Sequence, residues 1–161
     1  MLKFKPNEKF MKIAIREAKL AHKRGDYPIG ACIVQNNKVI AFGWNRVKTK
    51  RDSTKHVELE LIQYVVWMHP GHYIEDCILY TTHEPCPMCS WAAARSKIGG
   101  IVFGNYISDF KEHNNINNYF KWRIIDIPCK KILENENIKI ISWFMNKECK
   151  QLFKLAPWKI I

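Results

Sequence analysis

His56-Val57-Glu58 and, 30 residues on, Pro85-Cys86-Pro87-Met88-Cys89 supply one imidazole, two thiols and a carboxylate that is not needed as a ligand. Zinc takes that imidazole and thiolate set. Structural zinc sites normally close with four protein ligands. Three ligands leave a position for water, so His56, Cys86 and Cys89 point to hydrolytic chemistry with one zinc ion per chain. Glu58 then stands beside the metal as a proton carrier.

Working outward, a helix should begin close to His56, turn Leu59, Ile62, Val65 and Val66 inward and end at His69-Pro70-Gly71. Cys77 to Thr82 reads as a short apolar strand, and the Pro-Cys-Pro-Met-Cys run opens a second helix through Trp91 to Arg95. Cys86 and Cys89, three apart, share one face of it. Each ligand group thus lies at a helix N-terminus, where unpaired N–H groups and a partial positive charge favour thiolate and hydroxide.

Upstream, Asn7 caps a helix with apolar positions at Met11, Ala14, Ile15, Ala18 and Ala21 and a stop at Gly25. Pro28 to Gln35 and Val39 to Trp44 are β-rich runs around Asn36-Asn37, a pair that tolerates the positive φ of a tight hairpin. Downstream, Gly99-Gly100 breaks the second zinc helix, and Ile101 to Phe103 is a buried strand. Residues 105–137 are polar and irregular, with Asn114, Asn115, Asn117 and Asn118 clustered, and shape one wall of the pocket. Ile138 to Phe144 is a last strand, and a helix through Cys149, Leu152 and Phe153 closes the chain. The alternation of strand and helix gives an α/β sandwich.

The 161 residues, 47% hydrophobic and without a repeat or low-complexity tract, suit one domain over 1–161. The lysine-studded start is no secretory signal, and no run approaches the roughly 20 apolar residues of a membrane span, so a cytoplasmic protein is expected. Of six cysteines only the C-x-x-C pair has a diagnostic spacing; Cys32, Cys77, Cys129 and Cys149 read as packing residues. The net charge of +11 fits a polyanionic partner as well as a surface solvated with lysine. Lys48, Lys50, Arg51 and Lys55, leading into the zinc helix, and Lys147, Lys150, Lys154 and Lys159 share that double reading. Trp44 and Trp91 read first as core, with base stacking as the alternative.

The H-x-E and P-C-x-x-C pairing is the signature of zinc deaminases. The chain resembles the cytidine deaminase superfamily, in the branch of tRNA-specific adenosine deaminases and guanine deaminases. The resemblance runs from Tyr27 to Gly104 and includes Pro28-Ile29-Gly30-Ala31, Gly43-Trp44-Asn45-Arg46, Thr81 to Cys89 and Ser96 to Gly104. It implies a three-layer α/β/α cytidine-deaminase-like fold with a five-stranded mixed sheet, a homodimer, and removal of an exocyclic amine as ammonia. It also implies that Glu58 is the catalytic acid and base, that Asn45 hydrogen-bonds the base, that the backbone around Val57 and Cys86 fixes the substrate and the attacking oxygen, and that Ile29, Pro85 and His83 belong to the substrate side of the site.

The resemblance implies an adenosine-to-inosine editor of a tRNA anticodon loop or, alternatively, a deaminase of free guanine or another small purine or pyrimidine base or nucleoside. A reading from another class is a zinc-stabilised RNA-binding domain without catalysis, which leaves Glu58 without a purpose.

Overall fold

A computed structural model describes residues 2–110, 125 and 127–155. Helix α1 (Glu8–Lys23) starts as its cap dictates: the Asn7 side chain accepts from the Lys9 N–H at 2.9 Å, and Met11, Ala14, Ile15 and Ala18 form its buried stripe. Gly25, at φ 79°, carries the chain out of the helix. Strands β1 (Gly30–Gln35) and β2 (Lys38–Trp44) form the expected hairpin. Asn36 and Asn37 hold φ of 49° and 60°, the left-handed pair that a two-residue turn matched to strand twist requires.

The five-stranded sheet has the order β2-β1-β3-β4-β5, with β3 at Cys77–His83, β4 at Gly100–Asn105 and β5 at Lys139–Ile141. β1 runs antiparallel to both neighbours, whereas β3, β4 and β5 are parallel, so the sheet is mixed. Alternation along the strands splits the core into two. Cys32, Val34, Tyr80 and Val102 pack on α1, Cys149 and Leu152; Ala31, Ile33, Leu79, Ile101 and Phe103 pack on α2 (Val57–Met68) and α3 (Pro87–Arg95). This is the three-layer α/β/α arrangement. Gly30 is fixed by it, since a Cβ there would run into the backbone of Ala14 and Ala18.

Four local expectations change. Helix α2 buries Leu61 where Leu59 was expected, because Val57, Leu61 and Val65 form an i, i+4 stripe on the sheet and Leu59 falls to its side. Helix α3 ends before Gly99: Lys97 takes φ 52°, and Gly100 already belongs to β4. The last strand is cut to Lys139–Ile141 by positive φ at Trp143 and Met145, followed by helix Asn146–Lys150 and a tighter turn, Gln151–Leu155. Trp91 is 59% exposed on α3, not core. Cys32, Cys77, Cys129 and Cys149 are buried packing residues, as expected.

Within 105–137, the Asn114 to Asn118 cluster lies outside the described residues, and so does Lys159. Cys129–Ile132 forms one helical turn under α3. No helix among the described residues is long and apolar enough to cross a membrane.

Candidate metal centre and active site

The N-termini of α2 and α3 meet beside the end of β3. His56 and Cys86 occupy the N-cap positions, with extended backbone and no side-chain capping bond, so their side chains are free to turn to a common point. Pro87 stands at the first helical position of α3, where its missing N–H costs nothing. Glu58 and Cys89 follow in the first turns.

Cys86 Sγ lies 3.5 Å from His56 Nδ1 and 3.6 Å from Cys89 Sγ, and Cys89 Sγ lies 3.8 Å from His56 Nδ1. A tetrahedral zinc with bonds of about 2.3 Å to sulfur and about 2.0 Å to nitrogen spaces its ligands at roughly 3.8 Å for S···S and 3.6 Å for S···N. The observed triangle fits. The three atoms form the metal-ligating cluster found among the described residues. His83 is not part of it.

The titrations fit a metal site. Cys86 is pushed down to about 4, first by its contact with the Cys89 sulfur and then by that with His56. Cys89 is pushed up by its contact with Cys86 and by burial. The pair thus shares one proton as a thiol on a thiolate. The Leu59 N–H, in the first turn of α2, turns to the Cys89 sulfur. Burial works against the His56 imidazolium, but the Cys86 hydrogen bond and the charges of Glu58 and Cys86 outweigh it and raise His56.

Glu58 is 4% exposed. The Thr81 hydroxyl donates to its Oε1 at 2.9 Å, and its Oε2 lies 3.9 Å from Cys89 Sγ. One oxygen is thus fixed by the sheet and the other faces the metal ligands. Burial raises the Glu58 pKa, which favours its protonated form.

A cavity of about 380 Å³ opens over this cluster and is lined by His56, Glu58 and Cys86 with Ile29, Asn45 and His83. Its volume is that of a small-ligand pocket. Tyr27, Val47 and Thr54 add one wall, and Ile107, Phe110 and Ile125, from the segment expected to shape the pocket, add another. The structure therefore joins Ile29, Asn45 and His83 to the site but leaves out the side chains of Val57 and Pro85. Val57 points into the core between α2 and the sheet, while the Pro85 carbonyl accepts from Ser90 Oγ at 3.1 Å.

His83 is 2% exposed, lies 2.9 Å from Thr82 Oγ1 through Nδ1 and stacks on Phe110 with centroids 4.9 Å apart; burial pushes its pKa down to about 3. It is a neutral wall residue. Around the mouth, Lys48 sits 5.1 Å from the Tyr27 ring centroid and Lys55 pairs with Glu60 at 3.6 Å, while Lys50 and Arg51 stand exposed. Trp44 lies half-buried under the Arg24 guanidinium at 3.9 Å rather than facing the cavity.

Sequence reasoning missed Thr81, Glu84 and Asp26. Thr81 could be suspected as a hydroxyl in an inward-facing strand position. Glu84 accepts from the Ile107 and Cys129 N–H groups, both at 2.9 Å, tying the pocket wall to the end of β3. That link spans residues too distant for any local pattern to show.

Residues 4–105 match the family model of the cytidine and deoxycytidylate deaminase zinc-binding region. A tRNA-specific adenosine deaminase of Aquifex aeolicus is 36% identical over 124 residues, covering 71% of this chain and 82% of the relative. One of Buchnera aphidicola (subsp. Schizaphis graminum) is 35% identical over 145 residues, covering 86% and 93%. The solved guanine deaminase of Nitrosomonas europaea superposes with a TM-score of 0.76 at 20% identity, over 94% of this chain and 84% of that one, a likeness of fold.

Proposed function

The chain belongs to the zinc-dependent cytidine and deoxycytidylate deaminase family, and from that premise we propose that it hydrolyses adenosine to inosine in RNA, with a tRNA anticodon loop as substrate. The observation that carries the chemistry is the placement of Glu58, fixed by Thr81 on one oxygen and facing a three-ligand metal cluster with the other at the base of a cavity. Two relatives covered over most of their length carry the name tRNA-specific adenosine deaminase, which supports the substrate. The charge of +11 suits a polyanion.

Bound by His56, Cys86 and Cys89, zinc supplies a Lewis acid that lowers the pKa of water toward 7. The chain's own residues do the rest. Glu58 Oε2 takes the proton of the attacking water as the C–O bond forms, delivers it to the ring nitrogen, and then carries the remaining proton of the added hydroxyl to the amine as the C–N bond breaks. Water and an aromatic amine thereby become the oxo base and ammonia, with no net proton change at Glu58. Ile29 and Phe110 exclude bulk water from the cavity, and the base enters it unstacked from its neighbours.

We also propose that residues 1–161 act as one domain in a cytoplasmic homodimer. Six free cysteines suit a reducing compartment. Tyr64, Trp67 and Met68 on α2 and Trp91 on α3 are exposed, with Trp67 at 80%, and a second copy would cover them. Light scattering should give twice the chain mass, and Trp67→Lys should halve it; a wild-type monomer would refute the pairing.

The function is tested by incubating zinc-loaded protein with an anticodon stem-loop bearing adenosine and, separately, with free guanine, adenosine, cytosine and cytidine, then measuring ammonia and inosine. Inosine in the RNA alone is the expected result. Ammonia only from a free base or nucleoside would assign a small-molecule deaminase instead.

A further inference from the structure

Asp26 sits between α1 and β1, fully buried at 0% exposure, at the back of the cavity wall. Its Oδ1 accepts from the Tyr27 N–H at 2.8 Å and from Asn45 Nδ2 at 3.1 Å. Its Oδ2 accepts from the Thr49 N–H at 2.8 Å and the Thr49 hydroxyl at 2.9 Å. An ionised carboxylate only accepts, so the NH2 end of Asn45 must face Asp26 and its Oδ1 must turn elsewhere. Asn45 lines the cavity, is 1% exposed, and its Oδ1 is buried without a hydrogen-bond partner among the described residues. A buried acceptor left open in a pocket wall is matched by a donor on the ligand.

We infer that Asp26 is a positioning residue that locks the Asn45 amide so that the pocket offers an acceptor, selecting substrates that present an N–H or O–H donor at that point. An amide held by water or by a hydroxyl could rotate and present either end. Held by a carboxylate, it reads one polarity. Asp26 also accepts from Thr49 and so anchors the loop after β2. The inference rests on the deaminase reading and adds the group that orients its substrate contact.

The test is a double-mutant cycle on zinc-loaded protein, using whichever RNA or free base the wild type deaminates. Asp26→Asn and Asn45→Ala should each lower kcat/KM about tenfold or more, the worth of one well-placed hydrogen bond. The double variant should be no worse than Asn45→Ala within about twofold, because Asp26 acts through Asn45. Thr49→Val, which removes one of the two Thr49 bonds to Asp26 but leaves Asn45 held, should lower Tm without changing kcat/KM.

Losses that multiply in the double variant, or a Thr49→Val enzyme as impaired as Asp26→Asn, would overturn the inference and make Asp26 a loop anchor only. If Asp26→Asn does not fold, Asn45→Asp replaces it, assayed at pH 8: that side chain keeps an acceptor toward the cavity but, when ionised, cannot donate to Asp26. Activity at least as low as in Asn45→Ala is expected, and wild-type activity would overturn the claim. A wild type that releases ammonia from no substrate overturns the functional reading and this inference with it, whereas an active wild type lets the cycle decide alone.

Discussion

Replacing Glu58 by Gln isolates proton transfer from every other property of the site. The amide has the shape of the carboxyl, so its oxygen can still accept from Thr81 as Oε1 does at 2.9 Å, and the packing of a side chain 4% exposed is kept. Zinc should stay at one per chain, because the cluster is His56, Cys86 and Cys89 without Glu58. What goes is the carrier. General acid–base catalysis contributes about 10²–10⁴-fold. Glu58 serves both the attack and the departure, so the loss should lie near the upper end, about 5 kcal/mol of barrier at ~1.4 kcal/mol per decade. Stability should move the other way or stay level, since burial already penalises the Glu58 charge and a neutral amide escapes that penalty. Single-turnover inosine formation, bound zinc and Tm together decide. A variant that keeps more than about a tenth of the wild-type rate with zinc bound would refute Glu58 as the proton carrier.

Thr81→Val removes the donor to a buried carboxyl; turnover should fall about tenfold and stability by about 1.5–3 kcal/mol with zinc still bound, and Thr81→Ser should restore both. Zinc loading at pH 7 in weak buffer should release about one proton per ion or more, read with an indicator dye: the Cys89 thiol must lose its proton, while Cys86, held down to about 4, is already a thiolate. Release of none would contradict the shared thiol–thiolate pair. His83, pushed down to about 3 by burial, is neutral when folded but takes up a proton near 6.5 when unfolded. Its contribution to stability is therefore complete above pH 6.5 and lost as pH falls toward 3, by up to ~1.4 kcal/mol per unit. The difference in unfolding free energy between wild type and His83→Leu should slope across that window and be flat above it.

What could be read from the residues was local. Asn7 caps its own helix and Asn36-Asn37 supply their own positive φ, so both survive into the fold unchanged. The zinc ligands were legible because their spacing is fixed by the first turns of two helices. The end of β5 was not: Trp143 and Met145 adopt left-handed φ with no glycine to announce it. Neither was the inward face of α2, where Leu59 and Leu61 are equally apolar and only the sheet chooses between them. Trp91 looked like core because size and apolarity do not say whether the rest of the chain covers that face. Asp26 escaped notice because its meaning lies in four donors contributed by Tyr27, Asn45 and Thr49, which the hairpin brings back to it.

The two zinc helices show why this site is built from helix starts. An N-cap position normally goes to Ser, Thr, Asp or Asn, and doing without one costs about 1 kcal/mol. His56 and Cys86 hold those positions with no capping bond. Instead, the Leu59 N–H in the first turn of α2 turns to the Cys89 sulfur. The uncapped helix ends are thereby left facing the metal ligands, where their partial positive charge favours thiolate. The stability forgone at the two caps is offset by Val57, Leu61, Ile62 and Val65 on one helix and Ala93 and Ala94 on the other, all buried against the sheet. Glu58 shares that first turn with the core-facing Val57, so the packing that compensates for the missing cap is also what aims the carboxylate at the metal ligands.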